Sequence, residues 1–316
     1  KNHGWRYVFH YGDWLSLDNP VGGAEQVFGA TDEEFIANLY YAVSAGLVAK
    51  AAKVLGKTAE EEEYENLSKE QFAVVKREYY SATGRCCIKT QTALILTLKY
   101  HLSGNEELTK KQLLKLFEDS KEKLKTGFVG TPLLCNVLSD NGLDALAYKL
   151  LLNEEYPGWL NEVKLGATTV WERWNSLLSD GTISGITMNS MNHYAYGSIA
   201  EWLFRHSAGI DFSEDAPGCT SAKFIPVLSF ALRSMEAQYD SPSGIYKSAW
   251  KLSDSSHVTL SFTVPFGCTA SLRLPLAKEE VYQDTRNPMF ADVRDGVCHL
   301  VSGDYTVSYE TAEEVK

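Results

Sequence analysis

The spacing of the apolar residues changes near Ala216-Pro217-Gly218, and this change limits what the 316-residue chain can fold into. Before that point apolar residues recur every three or four positions, which is the period of a helix with one buried face. After it, apolar and hydroxyl residues alternate from 258 to 264, which is the period of a half-buried strand. The sequence therefore predicts a mainly α chain: a helical domain over residues 1–212, followed by an antiparallel β-sandwich over residues 213–316.

The helical part predicts paired helices joined by loops. A loop containing Pro20 precedes the first helix, and Thr31 with Glu34 forms a capping box at its start. The stretch 92–102 is too apolar for a surface helix, so it is predicted as a buried one. The predicted helical segments cover residues 31–56, 59–80, 92–102, 109–124, 133–138, 144–152 and 192–206, with a short helix opened by Pro157.

Composition narrows the classes of partner. The net charge of −11, from 30 Lys and Arg against 41 Asp and Glu, disfavours nucleic acid and an anionic membrane. No continuous apolar run approaches the roughly 20 residues needed to span a bilayer, and the first residues lack a signal-peptide pattern. The six cysteines contain no C-x-x-C pair, which predicts free thiols and a cytoplasmic location. No metal site and no cofactor are predicted.

The clearest chemical signal lies between Gly166 and Gly197. Trp171-Glu172-Arg173-Trp174 places a carboxylate between two indoles and beside a guanidinium, and Asn192-His193-Tyr194 follows it. Aromatic faces stack on pyranose rings, so this pattern favours a carbohydrate site over a phosphate site. Because Trp171 and Trp174 are three positions apart, they could equally be the buried face of a helical turn.

These motifs and several others resemble the α-L-rhamnosidases of glycoside hydrolase family 78. They occur in the family's order and cover nearly the whole chain. The matching pieces are Gly12-Asp13-Trp14-Leu15, Gly84 with Gln91-Thr92-Ala93, Gly127-Phe128-Val129-Gly130-Thr131-Pro132, Gly166-Ala167-Thr168-Thr169-Val170-Trp171-Glu172-Arg173-Trp174, and Met188-Asn189-Ser190 with Asn192-His193-Tyr194-Ala195-Tyr196-Gly197.

The resemblance implies an (α/α)6 toroid that hydrolyses terminal α-L-rhamnosides with inversion at the anomeric carbon. By the same resemblance Glu172 is the general base, Trp14 forms a wall of the rhamnose pocket, and His193 binds a sugar hydroxyl. An inverting enzyme needs one carboxylate to activate water and another to protonate the leaving oxygen, roughly 6.5–9.5 Å apart. Glu172 beside Arg173 should remain ionised, as a base must.

Three further residues are candidates for substrate binding. Trp171 and Trp174 flank the proposed base and present the aromatic faces discussed above. Asp13 belongs to the matched Gly-Asp-Trp-Leu motif, but Asp is also common in turns, so a plain turn residue is an equal alternative. The expected partner is a rhamnose-containing oligosaccharide or glycoside.

The chain departs from the family pattern in two ways. Position 175 is Asn, where the family usually has Asp after Trp-Glu-Arg-Trp. More seriously, nothing matches the upstream acidic motif that carries the family's general acid, and the helical segments are fewer than a complete toroid needs. We therefore expect the C-terminal part of a longer enzyme. Its open side, at 92–102 or neighbouring helices, would be covered by a second copy of the chain or by an N-terminal segment.

Two other classes of function remain open. If the acid is absent from the molecule, the chain could be a carbohydrate-binding or scaffolding protein with a disabled site. It could also be another (α/α)6 enzyme, such as a glycoside phosphorylase or an amylolytic glucosidase. A phosphorylase needs hydroxyl, imidazole or guanidinium groups around a phosphate near the base, and the sequence shows no clear set.

Overall fold

The computed structural model describes residues 4, 9–19, 27–185, 188–213, 215–284 and 286–316. It divides into two compact units, residues 1–197 and 198–316, which we call the helical unit and the β unit. The division falls earlier in the chain than the boundary at 212/213 expected from the sequence. The loop expected at Pro20 lies outside the described residues.

The described residues contain eight α-helices, and seven of them lie in the helical unit. Contacts join α1 with α2, α3 with α4, α3 with α5, and α5 with α6, so neighbouring helices pair as hairpins. The prediction of a helical part made of paired helices is confirmed. The helices are α1 Glu33–Val54, α2 Thr58–Tyr79, α3 Gln91–Lys99, α4 Glu106–Asp119, α5 Thr131–Asp140, α6 Asp144–Leu151, α7 Trp159–Lys164 and α8 Ile199–Trp202.

The start of α1 corrects one prediction. The N-cap is Asp32, whose carboxylate accepts a hydrogen bond from the Phe35 amide at 2.7 Å. A carboxylate there satisfies a free amide and also interacts favourably with the helix dipole. Thr31, predicted to be the cap, is instead buried and its hydroxyl lies 2.7 Å from that of Thr90, the residue that caps α3.

The helices differ in how much of their surface is covered. In α3 every residue from Gln91 to Leu98 is buried, as the sequence predicted, so no apolar surface is exposed there. α1 is long and apolar enough to cross a membrane, although half of that stretch is buried inside the protein, and α1 packs along α2. Its second half exposes Leu47 and Val54.

The β unit contains two sheets. One has the strand order β1-β2-β6-β8-β7 and the other β3-β4-β5-β9. Buried residues from both sheets form a single core, in which the rings of Phe224 and Phe262 are in contact. The strands are β1 Ile210–Phe212, β2 Ser221–Phe224, β3 Ser234–Ser241, β4 Gly244–Leu252, β5 His257–Val264, β6 Thr269–Leu272, β7 Val293–Arg294, β8 Val297–Leu300 and β9 Gly303–Glu310.

The predicted antiparallel sandwich is confirmed with one exception. β2 and β6 pair in parallel, with Ala222 opposite Ala270, whereas the other strand pairs are antiparallel. The alternation of apolar residues predicts strands but does not say which strands are neighbours, so this pair could not be predicted. All six cysteines are free thiols.

Candidate active site

Asp13 lies next to a loop at residues 127–130, more than a hundred positions away in the chain. Its side chain is fully buried. One carboxylate oxygen, Oδ1, accepts hydrogen bonds from the Val129 and Gly130 amides at 2.9 and 3.0 Å. The other, Oδ2, accepts from the Gly127 amide at 2.8 Å and the Thr92 hydroxyl at 2.5 Å.

Burial raises the pKa of the Asp13 carboxyl, and the four hydrogen bonds oppose that rise. Complete burial leaves the side chain no surface with which to contact a sugar. Through these hydrogen bonds Asp13 holds the loop at residues 127–130; its burial argues against the substrate contact expected from the sequence, which stays a prediction. Gly127 allows the close approach, because a Cβ there would lie 2.3 Å from the Trp14 carbonyl oxygen.

Trp14 is held beside the same loop. Its carbonyl oxygen accepts a hydrogen bond from the Phe128 amide at 2.8 Å. Its half-buried indole meets the rings of Tyr11 and Phe28 edge to face, with centroids 5.3 and 5.1 Å apart. The backbone of Trp14 is thus anchored through its neighbour Asp13. Part of the Trp14 indole remains accessible to solvent.

Glu172 is oriented mainly by one residue, Ser190. The Glu172 amide donates to the Ser190 carbonyl at 2.9 Å, and the Ser190 amide donates back to Oε2 of Glu172 at 2.8 Å. Within the described residues, the other carboxylate oxygen has no hydrogen-bond partner. The half-buried carboxylate is therefore held through Oε2.

The neighbours of Glu172 make contacts of their own. Arg173 Nε donates to the Met188 carbonyl at 2.8 Å, so this guanidinium holds the backbone of the facing loop. Asn175, where the resemblance leads one to expect Asp, places its Nδ2 3.3 Å from the Ser184 hydroxyl. The Asn175 side chain thus contributes a weak contact with another loop residue.

His193 lies on the segment that faces Glu172, three positions after Ser190. Its amide donates to the Val170 carbonyl at 2.8 Å, and its half-buried ring stacks on Phe128 with centroids 5.1 Å apart and planes 25° apart. Nδ1 accepts from the Ala195 amide at 3.3 Å. In the neutral ring this contact assigns the proton to Nε2, which is then a hydrogen-bond donor.

The two tryptophans that flank Glu172 are core residues. Trp171 and Trp174 are only 4% and 1% exposed. Trp174 stacks flat on Tyr196, with centroids 4.1 Å apart, and meets Trp159 edge to face at 5.2 Å. With its faces already covered, Trp174 has none left to stack on a sugar. The alternative of a buried pair is the better interpretation, although the two residues lie in a loop and not in a helical turn.

Two residues near the site were missed by the sequence reasoning. Phe128 contacts three parts of it: its amide bonds the Trp14 carbonyl, and its ring touches those of His193 and Tyr196. Its place inside the matched Gly-Phe-Val-Gly motif was the available signal. Glu162 is 3% exposed, and burial raises its pKa to about 7 while a hydrogen bond from the Trp171 amide opposes the rise. Nothing in the pattern around Glu162 marked it.

The predicted residues are therefore linked by a continuous series of contacts. Trp14 contacts Phe128, Phe128 stacks on His193, and the His193 amide bonds Val170, two positions before Glu172. Such a group combines an oriented carboxylate, an imidazole N–H donor and exposed aromatic surface. These are the groups that bind a polyhydroxylated ring and take a proton from water.

Comparison with known proteins gives consistent results for both units. Residues 1–207 match the bacterial α-L-rhamnosidase six-hairpin glycosidase domain, and residues 209–288 match the bacterial α-L-rhamnosidase C-terminal domain. An α-L-rhamnosidase of Formosa agariphila is 37% identical over 276 residues, which are 85% of this chain and 29% of that protein.

Two solved structures are also similar. The Streptomyces avermitilis α-L-rhamnosidase complexed with L-rhamnose has a TM-score of 0.83 and 32% identity, and the match covers 95% of this chain and 28% of that one. The native α-L-rhamnosidase of Aspergillus terreus has a TM-score of 0.83 and 27% identity, covering 95% and 33%. The chain thus spans less than a third of the length of the curated relatives it matches.

Proposed function

Because the chain belongs to the bacterial α-L-rhamnosidase family, we propose that the protein carrying it releases terminal α-L-rhamnose from rhamnosides with inversion at the anomeric carbon. The observation that supports this most directly is the orientation of Glu172 by Ser190 beside His193. The L-rhamnose in the Streptomyces avermitilis structure supports a rhamnoside as substrate.

Glu172 is the general base in this proposal. Its free oxygen takes a proton from a water molecule as the water oxygen bonds to the anomeric carbon. The bond from that carbon to the leaving oxygen breaks on the opposite face, and the leaving oxygen receives a proton from a separate acid. The hydrogen bond from the Ser190 amide keeps the carboxylate in one orientation while the charge on it changes.

Other residues bind and orient the sugar. The Nε2–H of His193 donates to a rhamnose hydroxyl, and the exposed part of the Trp14 indole packs against the ring. Phe128 positions both of them, because it bonds the Trp14 backbone and stacks on the imidazole. Asp13 contributes indirectly, because it anchors the loop that carries Phe128.

We assign the general acid to no residue of this chain. Glu162 has a pKa raised to about 7, as suits an acid, but it is 3% exposed and cannot reach a leaving oxygen. Without a positioned acid, hydrolysis of an unactivated rhamnoside loses a factor on the order of 10²–10⁴. The 316-residue chain alone is therefore expected to be a poor catalyst on such substrates.

The test is Glu172→Gln in the protein that carries this chain. The substitution preserves the shape and removes the base, so kcat on an α-L-rhamnoside should fall by roughly 10²–10⁴ with little change in binding. Glu118→Gln, at an exposed carboxylate on α4, is the matched control and should change neither. Proton NMR of the first sugar released by the unsubstituted protein should show β-L-rhamnose.

Three results would argue against the proposal. An α product would exclude inversion, and normal turnover by Glu172→Gln would exclude this residue as the base. Tight rhamnose binding without turnover by the unsubstituted protein would favour a carbohydrate-binding function with a disabled site.

A further inference from the structure

Asn189 directly precedes Ser190, the residue that orients Glu172, and its side chain joins this position to a hairpin at residues 176–184. Its Nδ2 donates to the Ser184 carbonyl at 2.7 Å and to the Ser176 carbonyl at 3.1 Å. Carbonyl oxygens only accept hydrogen bonds, so both contacts need the NH₂ side of the amide. The two donors of the Asn189 side chain are therefore used to hold the hairpin backbone.

Ser176 is tied in turn to the residue that follows Glu172. It is fully buried, its amide donates to the Arg173 carbonyl at 3.0 Å, and its hydroxyl accepts from the Arg173 amide at 3.2 Å. On the other side, Ser190 exchanges two hydrogen bonds with Glu172. The contacts thus form a closed ring that runs from Glu172 through Arg173, Ser176, Asn189 and Ser190 back to Glu172. Because the ring is closed, the Ser190 amide is fixed relative to the carboxylate from two directions.

The residue before Asn189 is strained. Met188 has a φ of 47°, in the left-handed region that residues with a β-carbon rarely adopt. Such a conformation persists only where surrounding contacts hold it. Arg173 Nε holds the Met188 carbonyl at 2.8 Å, and the two hydrogen bonds of Asn189 hold the next residue. The turn that presents the Ser190 amide is therefore kept in place by side chains and not by its own conformational preference.

We propose that Asn189 is a positioning residue for Glu172: its side-chain amide fixes the turn at residues 188–190 on the hairpin, so that the Ser190 amide stays directed at Oε2 of Glu172. This inference rests on the proposed role of Glu172 as the base. A reacting group keeps its productive geometry only when the residues that hold it are themselves held. Asn189 acts through Ser190 and needs no contact with the substrate.

Asn189→Leu tests the proposal in the protein that carries this chain, because Leu has a similar size and no donor. A small misplacement of a catalytic group can reduce turnover by up to about 10²-fold. We expect kcat on an α-L-rhamnoside to fall on the order of 10- to 100-fold, with KM changed by less than about threefold.

The dependence of kcat/KM on pH separates positioning from general damage. A carboxylate that loses an amide donor is protonated more readily. The acidic limb of the profile, where the base becomes protonated, should therefore move to higher pH by up to about one unit in Asn189→Leu. The alkaline limb, which reports the general acid, should stay in place. General damage would lower the profile without moving either limb.

Hydrogen exchange supplies a readout that does not depend on activity. The Ser190 amide is protected by its hydrogen bond to Glu172, so its exchange reports the contact that Asn189 is proposed to maintain. In Asn189→Leu the peptide 188–194 should exchange faster than in the unsubstituted protein, while α5 keeps its protection.

The matched control is Asn175→Leu. Asn175 has the same side chain, and its Nδ2 lies 3.3 Å from the Ser184 hydroxyl of the same hairpin, but it is not adjacent to Ser190 in the chain. This variant should leave kcat within about threefold, the acidic limb in place, and the exchange of the peptide 188–194 unchanged.

The possible outcomes separate the two proposals. If the unsubstituted protein does not hydrolyse rhamnosides, the proposed function fails, and exchange of the peptide 188–194 still tests the positioning. If it does, an unchanged kcat in Asn189→Leu overturns the inference, as does a fall in kcat without a shift of the acidic limb. Equal losses in Asn175→Leu, or faster exchange throughout the helical unit, also overturn it. Should Asn189→Leu fail to fold, Asn189→Ala, which lacks the donors and adds no bulk, decides by the same measurements.

Discussion

Two carboxylates, Asp13 and Glu172, stand in opposite situations within one helical unit. Asp13 has no exposed surface, and its two oxygens accept four hydrogen bonds. Glu172 is half-buried, and one of its oxygens accepts a single amide. Both lie in loops, and both belong to motifs that resemble those of the same enzyme family. The difference shows that membership of a motif does not by itself identify a group that does chemistry.

The hydrogen-bond count separates the two roles. A carboxylate whose acceptor sites are all occupied by amides and a hydroxyl stabilises the backbone that supplies them. A carboxylate that is oriented at one oxygen and open at the other can exchange a proton with water. Glu162 is a third case, since it is buried like Asp13 but its Oε1 has no hydrogen-bond partner among the described residues. The following predictions test this comparison, from the largest expected effect to the smallest.

Asp13→Asn should destabilise the protein strongly. The new side-chain amide has an NH₂ group in place of one carboxylate oxygen. Its N–H donors would face an amide or hydroxyl that donates to Oδ2 in the unsubstituted protein. Leaving buried donors unsatisfied costs about 1–3 kcal/mol each, and more where a charge is lost. We expect the free energy of unfolding to fall by roughly 3–5 kcal/mol, as measured by denaturant titration of the 316-residue chain.

Asp119→Asn is the matched control for that experiment. Asp119 is an exposed carboxylate that forms an ion pair with Lys115 on α4, and exposed pairs contribute about 1 kcal/mol or less. If Asp13→Asn unfolds no more readily than Asp119→Asn, the four hydrogen bonds do not stabilise the loop at 127–130, and the contrast with Glu172 breaks down.

The stability of the chain should depend on the protonation of Glu162. Burial raises its pKa from 4.5 to about 7, so the folded state binds a proton that the unfolded state releases above pH 4.5. The resulting stability is fully present below pH 4.5 and is lost as the pH rises towards about 7. The neighbouring Tyr196 stays neutral throughout, because burial raises its pKa well above the ordinary value.

The measurement compares the unsubstituted chain with Glu162→Gln, which cannot titrate. Between pH 5 and pH 7 the unfolding free energy of the unsubstituted chain should fall relative to that of the variant, by at most about 1.4 kcal/mol per pH unit. Subtracting the two curves removes the contributions of the other carboxylates. If the two curves of unfolding free energy against pH are parallel, Glu162 is ionised in the folded chain over this range. Glu162 would then no longer resemble Asp13 as a buried group.

Asn175→Asp should have the smallest effect. The substitution restores the residue expected from the family resemblance, and only a 3.3 Å contact with Ser184 depends on the present side chain. An exchange at this partly exposed position should shift the unfolding free energy by no more than about 0.5 kcal/mol and kcat by less than about threefold. A larger kcat change would mean that position 175 influences Glu172. Ser190 would then not be the only residue that orients its carboxylate.

Much of the fold could be predicted because hydrophobic spacing is a local property. The apolar density of residues 92–102 predicted a buried helix, and α3 is buried along nearly its full length. The same reasoning failed at Thr31, because Thr and Asp are both good caps, and the backbone geometry decides which side chain reaches the Phe35 amide. Alternation predicted the strands but not the parallel pairing of β2 with β6.

The site was predicted unevenly for a related reason. An aromatic side chain can stack on a sugar or fill a core, so the residue type alone does not distinguish the two roles. Trp174 lies between Trp159 and Tyr196, so its neighbours make it a core residue, whereas Trp14 keeps accessible surface. Glu162 looked like an ordinary polar position on a short helix. The folded chain leaves it only 3% exposed, and that burial depends on tertiary packing.

The sequence by itself determined the order of a helical part and a β part, and it singled out Glu172 with His193. These conclusions depend on residue type and on spacing over a few positions, which the chain carries wherever it folds. The tertiary structure alone decided how each carboxylate is buried and hydrogen-bonded. Three of the four donors to Asp13 lie more than a hundred residues away, and the fourth, Thr92, lies 79 residues away. Burial and hydrogen-bond occupancy depend on which distant groups meet, so they exist only once the chain has folded.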